Sequence, residues 1–138
     1  MLTVDRVALL RRVGIFAATP GRVLAGLAGT LVEEEFAAGD EIIRRGATED
    51  WLYVVTSGSV EVVREDRRVT IEAPAVVGEL AVLDPQPRSA SVVAVTDVVA
   101  QRLAKADFDE ALDSRPEIAR GVIAALVERI RETSEQPS

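Results

Sequence analysis

The 138-residue chain contains no cysteine and no histidine. That removes disulfides, thiol nucleophiles, the common zinc and transition-metal sites, and every catalytic scheme that rests on imidazole. Carboxylate and lysine chemistry remains, yet Lys105 is the one lysine and the other basic residues are all arginine. A net charge of −7 excludes the broad basic surface that sequence-independent nucleic-acid binding requires, so an anionic ligand would need a local basic pocket. Long apolar runs are missing too. In the first 20 residues Asp5, Arg6, Arg11 and Arg12 break up the apolar runs, such as residues 7 to 10, leaving them too short for a signal-peptide core or a membrane span. The expectation is a cytoplasmic chain with no membrane segment and no direct contact with nucleic acid. With 48% hydrophobic and 28% charged residues the composition is that of a folded protein, and the length suits a single domain over residues 1–138.

Two helices are expected before residue 30. Val4, Val7, Ala8, Leu10 and Val13 approximate a helical stripe over 3 to 13, and Thr19 before Pro20 reads as a capped start for a second helix over 20 to 29. From Thr30 the texture changes. Fourteen of the 21 valines fall between 54 and 99, and Gly39, Gly46, Gly58 and Gly78 punctuate short runs as turns do. Strands are expected near 30 to 36, 41 to 45, 51 to 57, 59 to 64, 68 to 72, 75 to 77, 89 to 95 and 97 to 103. Val60, Val62 and Arg64 alternate with Ser59, Glu61 and Val63, and Arg64-Glu65-Asp66-Arg67 makes a polar hairpin tip. After Leu103 two helices follow, over 105 to 114 and over 117 to about 132, with Pro116 in the first turn of the last one. The fold expected is mainly β with flanking helices: an eight-stranded, jelly-roll-like β-roll over 30–103, a helical pair over 1–29, and two C-terminal helices over 104–133.

One stretch, residues 77–90, breaks the strand pattern. Residues 79 to 83 are good helix formers, and Gly78 before them allows close backbone approach, so a single helical turn is expected there. Its free N–H groups favour an anion by geometry and dipole. Arg88 follows Pro85 and Pro87, which restrict where its guanidinium can point. Such a loop with amides and one arginine is a phosphate cradle. Glu79 would repel a phosphate, but its carboxylate can accept from a sugar hydroxyl. Phosphate and ribose together indicate a nucleotide. The plainer reading, in which Arg88 is only an ion-pair partner for Glu79, leaves the glycine, the helical turn and the two prolines without a purpose.

These residues resemble the cyclic nucleotide-binding domains of protein kinase A regulatory subunits, catabolite-activator-type regulators and nucleotide-gated channels. The resemblance spans nearly the whole chain. It is carried by Ala38-Gly39-Asp40-Glu41-Ile42-Ile43, Arg45-Gly46, Leu52-Tyr53-Val54-Val55-Thr56-Ser57-Gly58-Ser59-Val60, Gly78-Glu79-Leu80-Ala81 and Pro87-Arg88-Ser89-Ala90. It implies that Arg88 pairs with the cyclic phosphate, that Glu79 accepts from the ribose 2′-hydroxyl, and that amides near Leu80, Ala81, Ser89 and Ala90 complete the phosphate contacts. Serine at 89 is compatible with cAMP, with cGMP as the second ligand. The chain departs from the family by entering the cassette through Pro74-Ala75-Val76-Val77-Gly78-Glu79, without the usual turn glycine and with Val77 in place of an aromatic residue.

Val62 and Ile71 are candidates for the purine pocket, and Leu126, Arg129 or Ile130 for a lid over the base. The stripe of Ile118, Val122, Ile123, Leu126, Val127 and Ile130 could equally serve as a short homodimer seam. Asp40, Glu41 and Asp50 are expected to serve turns and solvent-facing positions, with no catalytic residue and no metal ligand among them. The function expected is reversible, chemistry-free sensing of a cyclic nucleotide, with occupancy passed through the terminal helices to an effector that the sequence does not identify. The alternatives are an interaction domain of the same fold that does not bind nucleotide, and the sensor half of a larger transporter, channel or transcription regulator.

Overall fold

The computed structural model describes residues 3–12 and 14–135. Val13 and the last three residues, at the edges of the first helix and the polar tail, lie outside the described residues. The chain divides into two compact units, a helical one (Met1–Gly29 with Asp109–Ser138) and a β one (Thr30–Phe108).

In the helical unit, α1 spans Thr3–Arg12, a 3₁₀ turn Gly14–Phe16, and α2 Gly21–Ala28. Leu10, Ile15, Phe16, Val23, Leu24, Leu27 and Ala28 are all buried. Thr19 does not cap α2 as expected. Pro20 takes the cap position without a side-chain bond, and Thr19 is itself fully buried, its Cα, Cβ and Oγ1 against Gly121. The packing explains the choice of residues: a Cβ at 121 would run into Thr19 Oγ1. The last helix of the chain spans Pro116–Glu135 and buries Ile118 and Val122, whereas Ile123, Val127 and Ile130 are exposed.

The β unit contains β1 (Val32–Phe36), β2 (Glu41–Ile43), β3 (Trp51–Ser57), β4 (Ser59–Val63), β5 (Arg68–Glu72), β6 (Ala75–Val77), β7 (Ser91–Ala94) and β8 (Val98–Ala104). They form two four-stranded antiparallel sheets in the orders β1-β8-β3-β6 and β2-β7-β4-β5. Period-two alternation sends Tyr53, Val55, Val60, Val77, Val92, Ala94, Val98 and Ala100 inward, and the adjacent Ile42 and Ile43 join the same core cluster where the register of β2 shifts. Each large member contributes about 1.5–3 kcal/mol through burial. In β3, Leu52 and Val54 on the opposite face are buried as well, so its sequence reads as a continuous apolar run.

The helix α3 (Lys105–Ser114) follows β8 directly, and the helix over Pro116–Glu135 is α4. Among the described residues no helix is long and apolar enough to cross a membrane. Among the described residues, eight strands and four α-helices make the expected β-roll with flanking helices.

Candidate functional site

The segment after β6 leaves the sheet at Gly78, whose φ of 71° lies in the left-handed region. A 3₁₀ turn over Glu79–Val82 follows, the single helical turn expected from the sequence. Glycine is required here twice over: the backbone conformation disfavours other residues, and a Cβ would stand 2.5 Å from Arg88 Nη1 and 3.1 Å from the buried Ile43 Cδ1. Lys105 Nζ donates to Val82 O at 3.3 Å and its backbone N–H to Asp50 O at 2.7 Å, tying the start of α3 to this turn.

Arg88 is held from both ends. Its backbone N–H donates to Ala47 O and its carbonyl accepts from Gly46 N–H, each at 2.8 Å, while Thr48 bridges to Pro87 and Arg45 N–H donates to Ser91 Oγ. The 44–49 segment is thereby laid along 87–91, which brings Glu49 to the guanidinium. Nε donates to Glu49 Oε1 at 3.2 Å, Nη1 to Gly78 O at 3.2 Å, and Nη2 to Trp51 O at 2.6 Å. The Arg88 side chain is only 6% exposed and that of Glu49 23%. An arginine has five N–H donors, and these bonds leave one on each terminal nitrogen, the pair that a bidentate phosphate contact uses. The rigid guanidinium is therefore preorganised, and its own charge is matched by Glu49.

Beside it lies a cavity of about 360 Å³, the size of a small-molecule site, lined by Ile43, Val62, Arg64, Arg67, Val69, Ile71, Val76, Val77, Gly78, Arg88, Ser89, Ala90 and Val92. Three of the described lining residues are arginine and none is acidic. Of the residues singled out from sequence, the cavity collects Gly78, Arg88, Ser89, Ala90, Val62 and Ile71. Glu79, Leu80 and Ala81 follow Gly78 on the 3₁₀ turn and are not among its lining: Glu79 is half-buried, Leu80 is exposed and Ala81 is buried. Leu126, Arg129 and Ile130 lie on α4, in the helical unit.

Sequence reasoning missed Glu49 and the two carbonyls that hold Arg88, as well as the inward placement of Arg64 and Arg67. For the arginines a signal existed: Arg64 belongs to the alternating series of Val60 and Val62, the inward one. Glu49 gave none, since its partner is 39 positions away and the turn that joins them is built from backbone bonds.

Tyr53 and Trp51 belong to β3 beneath the site. Tyr53 Oη donates to Glu34 Oε2 at 3.3 Å, its ring meets Phe36 edge-on at 5.7 Å, and Arg102 lies over the Trp51 ring at 5.8 Å while pairing with Glu34 at 2.6 Å. Burial, reinforced by the Glu34 carboxylate, raises the Tyr53 pKa above its ordinary value. Asp40 accepts from Ala37 N–H and Glu41 pairs with Arg44, the turn and surface roles expected of them.

Comparison with known proteins agrees with this geometry. The chain is 30% identical over 132 residues to a CRP-like cAMP-activated global transcriptional regulator of Mycobacterium tuberculosis, covering 91% of this chain and 59% of the relative. It is 35% identical over 120 residues to a cAMP-dependent protein kinase regulatory subunit of Aspergillus fumigatus, covering 82% of this chain and 28% of that one. The chain thus spans less than two thirds of the length of either. Among solved structures, the N-terminal domain of a transcriptional regulator from Streptomyces coelicolor superposes with a TM-score of 0.81 at 33% identity, covering 92% of this chain and 93% of that one. The model of the cyclic nucleotide-binding domain matches residues 33–115, and with the β-roll, the glycine-led turn and the buried arginine in place, this chain belongs to the cyclic nucleotide-binding domain family.

Proposed function

We propose that this chain is a cyclic nucleotide sensor module whose ligand is cAMP, with cGMP as the second ligand to be tested. The observation that carries this reading is Arg88, buried, fixed by three acceptors, and keeping one N–H on each terminal nitrogen beside a cavity whose described lining holds three arginines and no acid. The cyclic phosphate takes those two N–H groups and the amides of the 3₁₀ turn and of Ser89 and Ala90. Glu79 accepts from the ribose 2′-hydroxyl. Val62, Val69 and Ile71 offer the base an apolar wall. Binding is reversible and no bond is made or broken.

Occupancy changes the turn that Gly78 opens, and Lys105 ties that turn to the start of α3. A ligand that binds one arrangement of these parts better than another shifts the balance between them, and couplings of about 1–3 kcal/mol are usual for such switches. In the full-length context the output is that of an attached or associated effector, as the regulators and regulatory subunits among the relatives suggest. The exposed face of α4, with Ile123, Val127 and Ile130, is the surface through which we expect occupancy to be felt, either by closing on the base with Leu126, Arg129 and Ile130 or by pairing with a second copy.

Calorimetric titration with cAMP and with cGMP tests the ligand. Saturable binding of cAMP is expected, and a chain that titrates with neither would instead be a non-binding interaction domain of the same fold. Hydrogen exchange over residues 117–132 separates the two routes: ligand-dependent protection supports closure, and protection that varies only with protein concentration supports pairing.

A further inference from the structure

The cavity holds two cationic groups that recognition of one cyclic phosphate by Arg88 does not use. The register of the second sheet shows how they come to be there. Val60 pairs with Ile71 and Ala94, and Val62 with Val69 and Val92. Two residues further along, on the same face by the alternation of strands, come Arg64, Arg67 and Ala90, and Arg64 N–H donates to Arg67 O at 2.9 Å across the hairpin. All three line the cavity. The inward rows therefore read apolar, apolar, cationic, with the cationic row at the exposed rim.

Of the other charges near the hairpin tip, all but Asp66 have an ion-pair partner. Arg68 pairs with Glu61 at 3.1 Å, and Glu65 with Arg45 at 3.6 Å, leaving Asp66 in the turn. Arg64 and Arg67 have no ion-pair partner among the described residues. Arg88 is different: its charge is matched by Glu49 in the same buried site. In a chain of net charge −7, an approaching anion is repelled by the whole and is not drawn in by Arg88.

We infer that Arg64 and Arg67 form an electrostatic entrance that draws an anionic mononucleotide to the cavity and sets its association rate, a role separate from the contact that Arg88 makes with the bound phosphate. This rests on the reading of the cavity as a cyclic nucleotide site. With the incoming phosphate taken at roughly 8 Å from each guanidinium in aqueous dielectric, neutralising both slows association about fourfold at about 0.01 M salt and about twofold at about 0.15 M. Reversing both charges slows it about fifteenfold and fourfold at the same two salt concentrations.

The test is stopped-flow fluorescence with 1,N6-etheno-cAMP across that salt range, on the parent, R64Q/R67Q and R64E/R67E. Both positions are exposed, so the variants are expected to fold, and circular dichroism checks it. Support consists of association rates falling in the order parent, R64Q/R67Q, R64E/R67E at low salt, converging as salt rises, with dissociation rates within twofold of each other. Equal association rates and salt slopes in all three proteins would overturn the inference while leaving the site reading intact. A salt-independent rise in dissociation would overturn it as well, by showing that the arginines hold the bound ligand. A parent that binds neither the probe nor cAMP would reject the site reading and this inference together.

Discussion

Gly78→Ala tests whether the placement of the Arg88 guanidinium, and not merely its presence, makes the site. At Gly78 the φ of 71° alone costs an alanine about 1–2 kcal/mol. The added methyl would stand 2.5 Å from Arg88 Nη1, 3.2 Å from its Cζ and 3.1 Å from Ile43 Cδ1. The contact with Ile43 at 3.1 Å needs only a few tenths of an ångström of give, whereas 2.5 Å from Nη1 cannot stand, so the guanidinium must move. Movement weakens the bonds to Gly78 O and Trp51 O, and hydrogen bonds to a charged group contribute about 1.5–3 kcal/mol each. Gly39→Ala is the matched control, since its φ of 93° imposes similar strain while a Cβ there meets nothing within 4 Å. Urea unfolding followed by the fluorescence of Trp51, the single tryptophan, should show Gly39→Ala losing about 1–2 kcal/mol and Gly78→Ala about 3 kcal/mol or more. Calorimetry with cAMP should show near-parental affinity for Gly39→Ala and about a 10- to 150-fold loss for Gly78→Ala, the equivalent of one charge-assisted bond. Affinities of the two variants within twofold of each other would refute the reasoning.

Arg88→Leu should abolish cAMP binding and destabilise the fold by about 1–3 kcal/mol, because Gly78 O and Trp51 O lose their donor and Glu49 its partner; undiminished binding in titration would sink the site assignment. Glu79→Gln should bind better than Glu79→Ala, since an amide oxygen still accepts from a ribose hydroxyl, and equal losses would assign Glu79 a structural role. The raised pKa of Tyr53 means that the folded state holds the phenolic proton more tightly than the unfolded one, so its contribution is intact below about pH 10 and is lost as pH rises through the folded value. Melting temperatures from about pH 9 to 11 should therefore fall more steeply for the parent than for Tyr53→Phe, and parallel curves would contradict this. Gly121→Ala should cost about 1–3 kcal/mol through overpacking against the buried Thr19, whereas Gly26→Ala, in open space on α2, should be neutral or stabilising; urea midpoints compare them, and equal effects would show that the Thr19 contact yields freely.

The elements of this protein were legible in its sequence because local rules write them. Valine-rich alternation marked β3 through β6 with little error in their ends, and the glycine after β6 announced a turn that is there. The strand boundaries that moved, such as β2 ending at Ile43 and β7 beginning at Ser91, belong to segments whose backbone groups bond to the turns around Arg88 instead of continuing the ladder. Thr19 misled for a related reason: a residue type suited to capping was drawn into a helix contact, where packing against Gly121 outweighs a local hydrogen bond.

By itself the sequence determined the fold class and the glycine, helical turn and arginine within 77–90, since these follow from spacing and residue type along the chain. Only the tertiary structure decided which partner holds the arginine and which charges surround it. Glu49 reaches Arg88 through backbone bonds between segments some 40 positions apart, a pairing that spacing along the chain does not show. Whether Arg64 and Arg67 decorate a hairpin tip or rim a cavity depends on the pairing register of three strands, and a shift of one residue would send both guanidiniums to the other face.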